Sequence, residues 1–438
     1  MPRLPSDPLR GLWLALIMAC AAPVAAQDFT TLKGHGGPIM GLAVSPGGQV
    51  ASASFDNSVG LWTDRVPRWL EAHAAAVTVV AFGPGGELVS GGDDFTVYRW
   101  SETGQATEVG RHKGKVTALE VSPDRGWLAS GSWDGSVMLW PLGAREGAAR
   151  ALAYPGAGVN DLGFSADGKH LFVATSAGVL LVYDLTTADA PRPLVRHGFG
   201  INEIVVGPGW VAYGAVDGGT RVIDAQTGEK IADFTLDRRP ILSMDFHAPT
   251  GQIAVGDGHG YIMMLDATRW RITRDYRATR QGPVWALAFS RDGQTIHAGG
   301  LDDVAYVWPV ALLDSFDATM GQERSFLRAP ESMGNGERQF MRKCSICHAL
   351  EPGPSRKAGP TLHGVFGREA GTVAGYRYSD TLDGSGIIWT DATIDALFDM
   401  GPDHYIPGSK MPMQVIAKPD DRADLIAFLK RATGAVRD

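Results

Sequence analysis

The sequence predicts a multidomain protein, an all-β seven-bladed propeller followed by a small all-α domain. Three observations carry this. A strand–turn–strand pattern returns seven times with a period near forty residues, a propeller or solenoid period. Glycine is abundant, at 56 of 438 residues, as a fold with many tight turns requires. After the last repeat the alternation stops, and helix-patterned segments flank one Cys-x-x-Cys-His run.

Composition bounds the alternatives. The length allows about three domains at roughly 150 residues each. Hydrophobic residues at 44% and charged residues at 20% are ordinary globular values. A net charge of −8 and a pI of about 5.8 weigh against nucleic-acid binding.

Taken in chain order, the first segment is a targeting sequence, residues 1–26. Arg3 and Arg10 precede an apolar run from Gly11 to Ala22, which ends in Pro23-Val24-Ala25-Ala26. A basic start, a short apolar core and small residues at the cut read as a secretory signal peptide cleaved after Ala26. The mature chain is therefore expected in the periplasm. The run is short for a membrane anchor, which needs about 20 residues, and Ile17-Met18-Ala19-Cys20 fits a lipoprotein site poorly. Export leaves Cys344 and Cys347 as the remaining cysteines, so no disulfide framework is expected.

The propeller is expected over residues 27–312. First strands begin at Ile39, Val77, Val116, Val159, Ile201, Ile241 and Val284, spaced 38 to 43 residues apart. Each is followed by turn chemistry such as Pro46-Gly47-Gly48 or Arg291-Asp292-Gly293, the boundary signal of period-2 strands. Third strands end at Trp62, Trp100, Trp140, Tyr183, Ile223, Leu265 and Trp308. Asp56, Asp94, Asp134, Asp217 and Asp302 stand six residues before their ends, and His35, His73 and His112 open the first three units. These residues resemble the WD-repeat family. Blades four and six depart from its pattern, with Ala177 and His259 at the Asp position. The resemblance implies seven four-stranded blades, with His, Asp and Trp in structural roles and a face that binds other proteins. Ring closure needs both chain ends in one blade, and Phe29-Thr30-Thr31-Leu32 is placed to be the outer strand of the last.

Residues 313–332 read as a linker and 333–438 as the second domain. Cys344-Ser345-Ile346-Cys347-His348 is a haem c attachment motif. Two thiols three residues apart on a helical turn can add across the two vinyl groups of one haem, and the next residue supplies an axial imidazole. Zinc, the rival, wants four protein ligands in a structural site, and no second Cys pair exists. A redox dithiol lacks its usual βαβ surroundings. A helix runs from Gly334-Asn335-Gly336-Glu337 into the motif. A second, near Pro419 to Ala432, has Asp420 and Asp421 in its first turn and Gly434 after its end.

Residues 333 to 434 resemble the class I cytochromes c. The resemblance implies Met411, after Pro407-Gly408-Ser409-Lys410, as second axial ligand, with Met413 its neighbouring rival. It implies that the Pro360 carbonyl accepts the free ring N–H of His348. It places Arg368, Tyr378, Trp389 and Ser409 at the haem propionates, and packs Gly336 and Phe340 against Leu425 and Phe428. Phe398 and Leu382 stand where the family usually has Tyr and Asn, a change expected to shift the potential.

The expected function is a periplasmic electron carrier with one covalent His/Met haem c and no catalytic residues, its propeller docking a redox partner. Acidic and basic side chains balance from Gly321 onward, so steering is confined to a small patch near Lys343, Lys357, Lys410 and Lys418. Two other readings stay open: a propeller oxidoreductase with a second cofactor, similar to haem-d nitrite reductases, and a haem-based redox sensor.

Overall fold

The computed structural model describes residues 30–142, 147–153, 156–187, 190–236, 240–279, 282–312, 332–353 and 355–434. The expected signal peptide with Cys20, Phe29 of the closing strand, and linker residues 313–331 lie outside them.

Seven four-stranded antiparallel sheets form the N-terminal unit, in agreement with the repeat pattern. Blade one is Ile39–Val44, Val50–Ser54, Val59–Thr63 and Val66–Leu70. The ring closes as expected. Thr30–Lys33 pairs antiparallel with Val304–Pro309, Thr30 opposite Val307 and Leu32 opposite Ala305. A ring closed by its own first strand leaves no sheet edge open at the seam.

The residue that opens each innermost strand is buried between neighbouring sheets. Ile39, Val77, Val116, Val159, Ile201 and Val284 are fully buried and Ile241 nearly so. β-Branched side chains suit this site because they are stiff and pack well on a pleated surface. Just after this residue, every innermost strand slips register against its neighbour, as at Val116/Ala118 and Val159/Asp161. A bulge re-aims the side chain beside it, and here polar side chains turn toward the next blade. Thr117 Oγ1 donates to Val159 O (2.7 Å), Asn160 Nδ2 to Ile201 O (2.8 Å) and Asn202 Nδ2 to Ile241 O (2.8 Å). Carboxylates bridge blades as well. Glu120 accepts from Phe164 N (2.6 Å), Asp161 from Ile204 N (2.8 Å) and Asp245 from Phe289 N (2.7 Å). Burial pushes Glu120 up to about 8 and Asp161 up to about 7.

Within blade one, Trp62 Nε1 donates to Ser52 Oγ (2.7 Å), Ser52 bonds His35 Nε2 (2.7 Å), and His35 Nδ1 bonds Asp56 (2.8 Å). Ser90 and Ser130 hold the same place in blades two and three. The serines were not singled out in the sequence, although each stands ten residues before its Trp. Two further differences concern the departing blades. In blade six Asp257, two residues before His259, accepts the N–H groups of His259 (2.8 Å) and Tyr261 (3.0 Å). In blade four Thr175 Oγ1 closes the turn by donating to Val179 O (2.9 Å). Blade five has an opening histidine after all, His197, 3.0 Å from Asp217.

The C-terminal unit holds α1 (Asn335–Lys343), α2 (Asp391–Met400), α3 (Pro402–Tyr405) and α4 (Pro419–Ala432). Helices α1 and α4 cross at Gly336. A Cβ there would lie 2.0 Å from Asp424 O and 2.8 Å from Phe428 Cβ, so only glycine permits the approach. Phe340 and Phe428 pack at 5.5 Å beside it. Arg422, nearly buried on α4, ties the bundle through Asp395 (2.8 Å) and Asp399 (3.0 Å) of α2; the sequence reading missed it.

Candidate functional site

The end of α1 sets the motif. Cys344 N bonds Phe340 O (2.8 Å), and Cys347 N and His348 N both bond Cys344 O (3.0 and 2.9 Å). One more helical turn therefore carries the two thiols and the imidazole, which puts residues three and four apart on one face. All three line a single cavity of about 370 Å³.

The other wall comes from loops with their own local causes. Ile406 to Ser409 is a tight turn. Ser409 N bonds Ile406 O (3.0 Å) and Gly408 sits at φ 80°, where a Pro-Gly pair is favoured. Ser409 Oγ then accepts from Met411 N (3.0 Å), and Met411 lines the cavity. Met413 is 48% exposed and does not line it.

The structure brings every predicted site residue to this cavity: Cys344, Cys347, His348, Pro360, Arg368, Tyr378, Trp389, Ser409 and Met411. His348 Nδ1 donates to Pro360 O at 2.8 Å. Burial lowers the imidazole pKa, which favours the neutral ring, and with Nδ1 bonded to Pro360 O the Nε2 atom is left as the donor atom. Gly359 is required by the ring, since a Cβ would lie 2.4 Å from His348 Cε1. Burial pushes the Cys344 thiol up to about 12 and the Cys347 thiol up to about 11. Neither is the exposed thiolate that a redox dithiol needs. Among the described residues no three His, Cys, Asp or Glu side chains gather as a metal site, which leaves the zinc reading without ligands.

The cavity fits a haem. Its wall is mostly apolar, with Leu382 and Phe398 among its residues. Arg368 is half-buried there, and its guanidinium donates to Thr361 O (2.9 Å) and His363 O (2.7 Å), with no carboxylate partner among the described residues. Ser379 Oγ, also in the wall, is buried without a hydrogen-bond partner. An unpaired cation and an orphaned hydroxyl suit the propionates of a bound haem. Ser379 was not found in the sequence, because a lone Ser in a loop carries no spacing signal.

The lysines expected at the haem edge are partly occupied. Lys343 Nζ donates to Val415 O (3.2 Å), Lys357 Nζ to Ser345 O (2.7 Å) and Lys410 Nζ to Arg377 O (3.1 Å). Lys418 is exposed at the N-cap of α4.

Comparison with known proteins agrees with both halves of the chain. The family model described as Cytochrome c matches residues 334–433. The model described as WD domain, G-beta repeat matches residues 27–63, 65–101, 105–141 and 270–309. These are blades one to three and seven; the unmatched stretch contains the two blades that depart from the repeat pattern. Among curated relatives, cytochrome c of Nigella damascena is 44% identical over 112 residues, which is 25% of this chain and 98% of the relative. Cytochrome c of Sesamum indicum is 44% identical over 106 residues, 24% of this chain and 93% of the relative. That of Arabidopsis thaliana is 46% identical over 98 residues, 22% and 87%. These likenesses imply one covalently bound haem c.

Proposed function

Because the chain belongs, through its C-terminal region, to the cytochrome c family, we propose that it is an exported electron-transfer protein whose propeller holds or orients a protein partner. The relatives support a carrier of electrons, and WD repeats support protein–protein interaction. Bound haem supplies a one-electron couple between ferrous and ferric iron. The chain's own residues do the rest. Cys344 and Cys347 would hold the group by thioethers, and the His348 imidazole and the Met411 sulfur would be its iron donors. Pro360 O keeps the His348 ring in one tautomer and raises its basicity. The Arg368 guanidinium would offset the charge of the propionates, and Tyr378, Trp389 and Ser409 would orient them as neutral hydrogen-bond donors. Two protein ligands on the iron would leave no open position for substrate, which supports a carrier role.

The single observation that carries this is the convergence of Cys344, Cys347, His348 and Met411 on one cavity. Export rests on Arg3, Arg10 and the Gly11–Ala22 run, with cleavage after Ala26 and work in the periplasm. No helix of the described residues is long and apolar enough to cross a membrane. A redox partner protein docks through the propeller and the haem edge near Lys343, Lys357, Lys410 and Lys418. The test is the mass of the exported chain after acid-acetone extraction. It should begin at Gln27 and retain one haem, and Cys344→Ser with Cys347→Ser should lose it. A wild-type chain that gives up its haem to acetone overturns the reading.

A further inference from the structure

Gly36 follows the buried His35 at the opening of blade one. The same place holds Ala74 in blade two and Lys113 in blade three. All three backbone N–H groups make the same bond, to Asp56 (2.9 Å), Asp94 (2.8 Å) and Asp134 (2.6 Å). The backbone bond thus forms with Ala or Lys at this place as well, and Gly36 is not among the residues at positive φ. What requires glycine is the other unit. A Cβ at position 36 would lie 2.2 Å from the carbonyl carbon of Arg356, 2.3 Å from its oxygen and 2.6 Å from Lys357 N. Backbone rests on backbone across the two halves of the chain.

The contact is clamped by Arg356. Its Nη2 donates to Glu71 Oε1 (2.7 Å), and its guanidinium lies 4.0 Å from the centroid of the Trp69 ring. Its Nε is 3.9 Å from Asp56. Trp69 packs edge-on against His35 (4.7 Å) and Trp62 (5.6 Å), so the guanidinium caps the aromatic stack of blade one. A planar cation suits this place better than lysine because it can stack and donate at once. Phe55, Asn57, Ala74, Ala75 and Ala76 of blades one and two complete the wall of the cavity that holds Cys347 and His348. Lys357, next to the clamp, is partly buried; burial lowers its pKa, and Asp303 of blade seven opposes that.

We propose that blades one and two are the docking site, within the same chain, for the haem face of the cytochrome domain, and that a protein redox partner reaches that face only when the contact opens. This rests on the haem reading above. Electron release to an outside oxidant is one-electron: the ferrous iron becomes ferric and a Cu(II) acceptor becomes Cu(I). A small oxidant needs no opening, because it does not compete for the face.

The experiment uses the full haem-loaded chain with Gly36→Lys, the residue type blade three carries there, and with Arg356→Glu. Amide exchange is read over Ala74–Ala76 and Arg356–Lys357. Both variants should exchange about tenfold faster than wild type, a loss of about 1.4 kcal/mol of contact. Adding Glu71→Arg to Arg356→Glu should restore protection. Ferrous Gly36→Lys should reduce a small blue-copper protein about fivefold or more faster than wild type, with its rate toward hexacyanoferrate(III) unchanged. Wild-type exchange in both variants overturns the docking, and equal copper-protein rates overturn the gating. A chain without the haem spectrum would instead mark failure of the haem reading, since the exchange measurement does not depend on redox activity.

Discussion

Single side chains decide how much of the propeller is held by polar links. Ser52, Ser90 and Ser130 each sit between a histidine and an indole N–H inside a buried strand. Ser90→Ala would strand two buried donors or acceptors at once, and a lost buried partner costs about 1–3 kcal/mol. Urea denaturation should show a fall of that size with an unchanged slope. The interblade carboxyls give a pH signature. Burial raises Glu120 from 4.5 to about 8, and Glu203 is raised by burial and by neighbouring Asp161. A carboxyl raised in the folded state stabilises fully below its unfolded pKa and loses that contribution as pH rises through the folded value. The melting temperature should therefore rise as pH falls from about 8 towards about 4.5, and Glu120→Gln should flatten that rise. Below the ordinary histidine range the trend is opposed by His112 and His297, whose pKa values burial lowers.

At the scale of elements, the closing strand and the crossing helices carry the sharpest expectations. Leu32 is buried in the seam between the last blade and the first. A chain that starts at Gly36 loses that side chain, worth about 1.5–3 kcal/mol, and leaves Val304–Pro309 as an open edge. It should melt earlier and aggregate, whereas a chain ending at Leu313 should keep the melting of the ring; equal melting of the two would refute the strand exchange. At the α1–α4 crossing, Gly336→Leu would force a side chain against Asp424 O and should cost about 1–3 kcal/mol or more by overpacking, read as an earlier melt of the haem domain. Much of this scale was legible in the sequence. Strand alternation and turn residues are local, so the period placed all seven innermost strands, and Pro419 with Asp420 and Asp421 marked the start of α4. What stayed hidden is non-local. A strand serine looks like any small residue until its His and Trp are brought to it. Asp257 does its work two residues from where the repeat pattern looks for it, at the place that Ser54 and Thr175 hold opposite the first residue of the innermost strand in blades one and four.

For the whole molecule, the candidate haem residues were legible because three of them are fixed by a five-residue motif and the rest by a family resemblance of about 100 residues. The contact between the halves was not. Gly36 is one glycine among 56, and its partner Arg356 stands 320 positions later, so no spacing rule joins them. The central claim is that this cavity holds a haem ligated by His348 and Met411 in an electron carrier. The most direct measurement is the visible spectrum of the ferric wild-type, Met411→Ala and Met413→Ala proteins, with carbon monoxide added to the ferrous forms. The wild type should show the weak red charge-transfer band of a methionine sulfur on ferric iron and bind carbon monoxide slowly. Met411→Ala should lose the band, bind carbon monoxide readily and have a lower reduction potential, while Met413→Ala keeps the wild-type spectrum. A wild type without the band that takes carbon monoxide at once would contradict the account, and loss of the band in Met413→Ala alone would move the ligand by two residues.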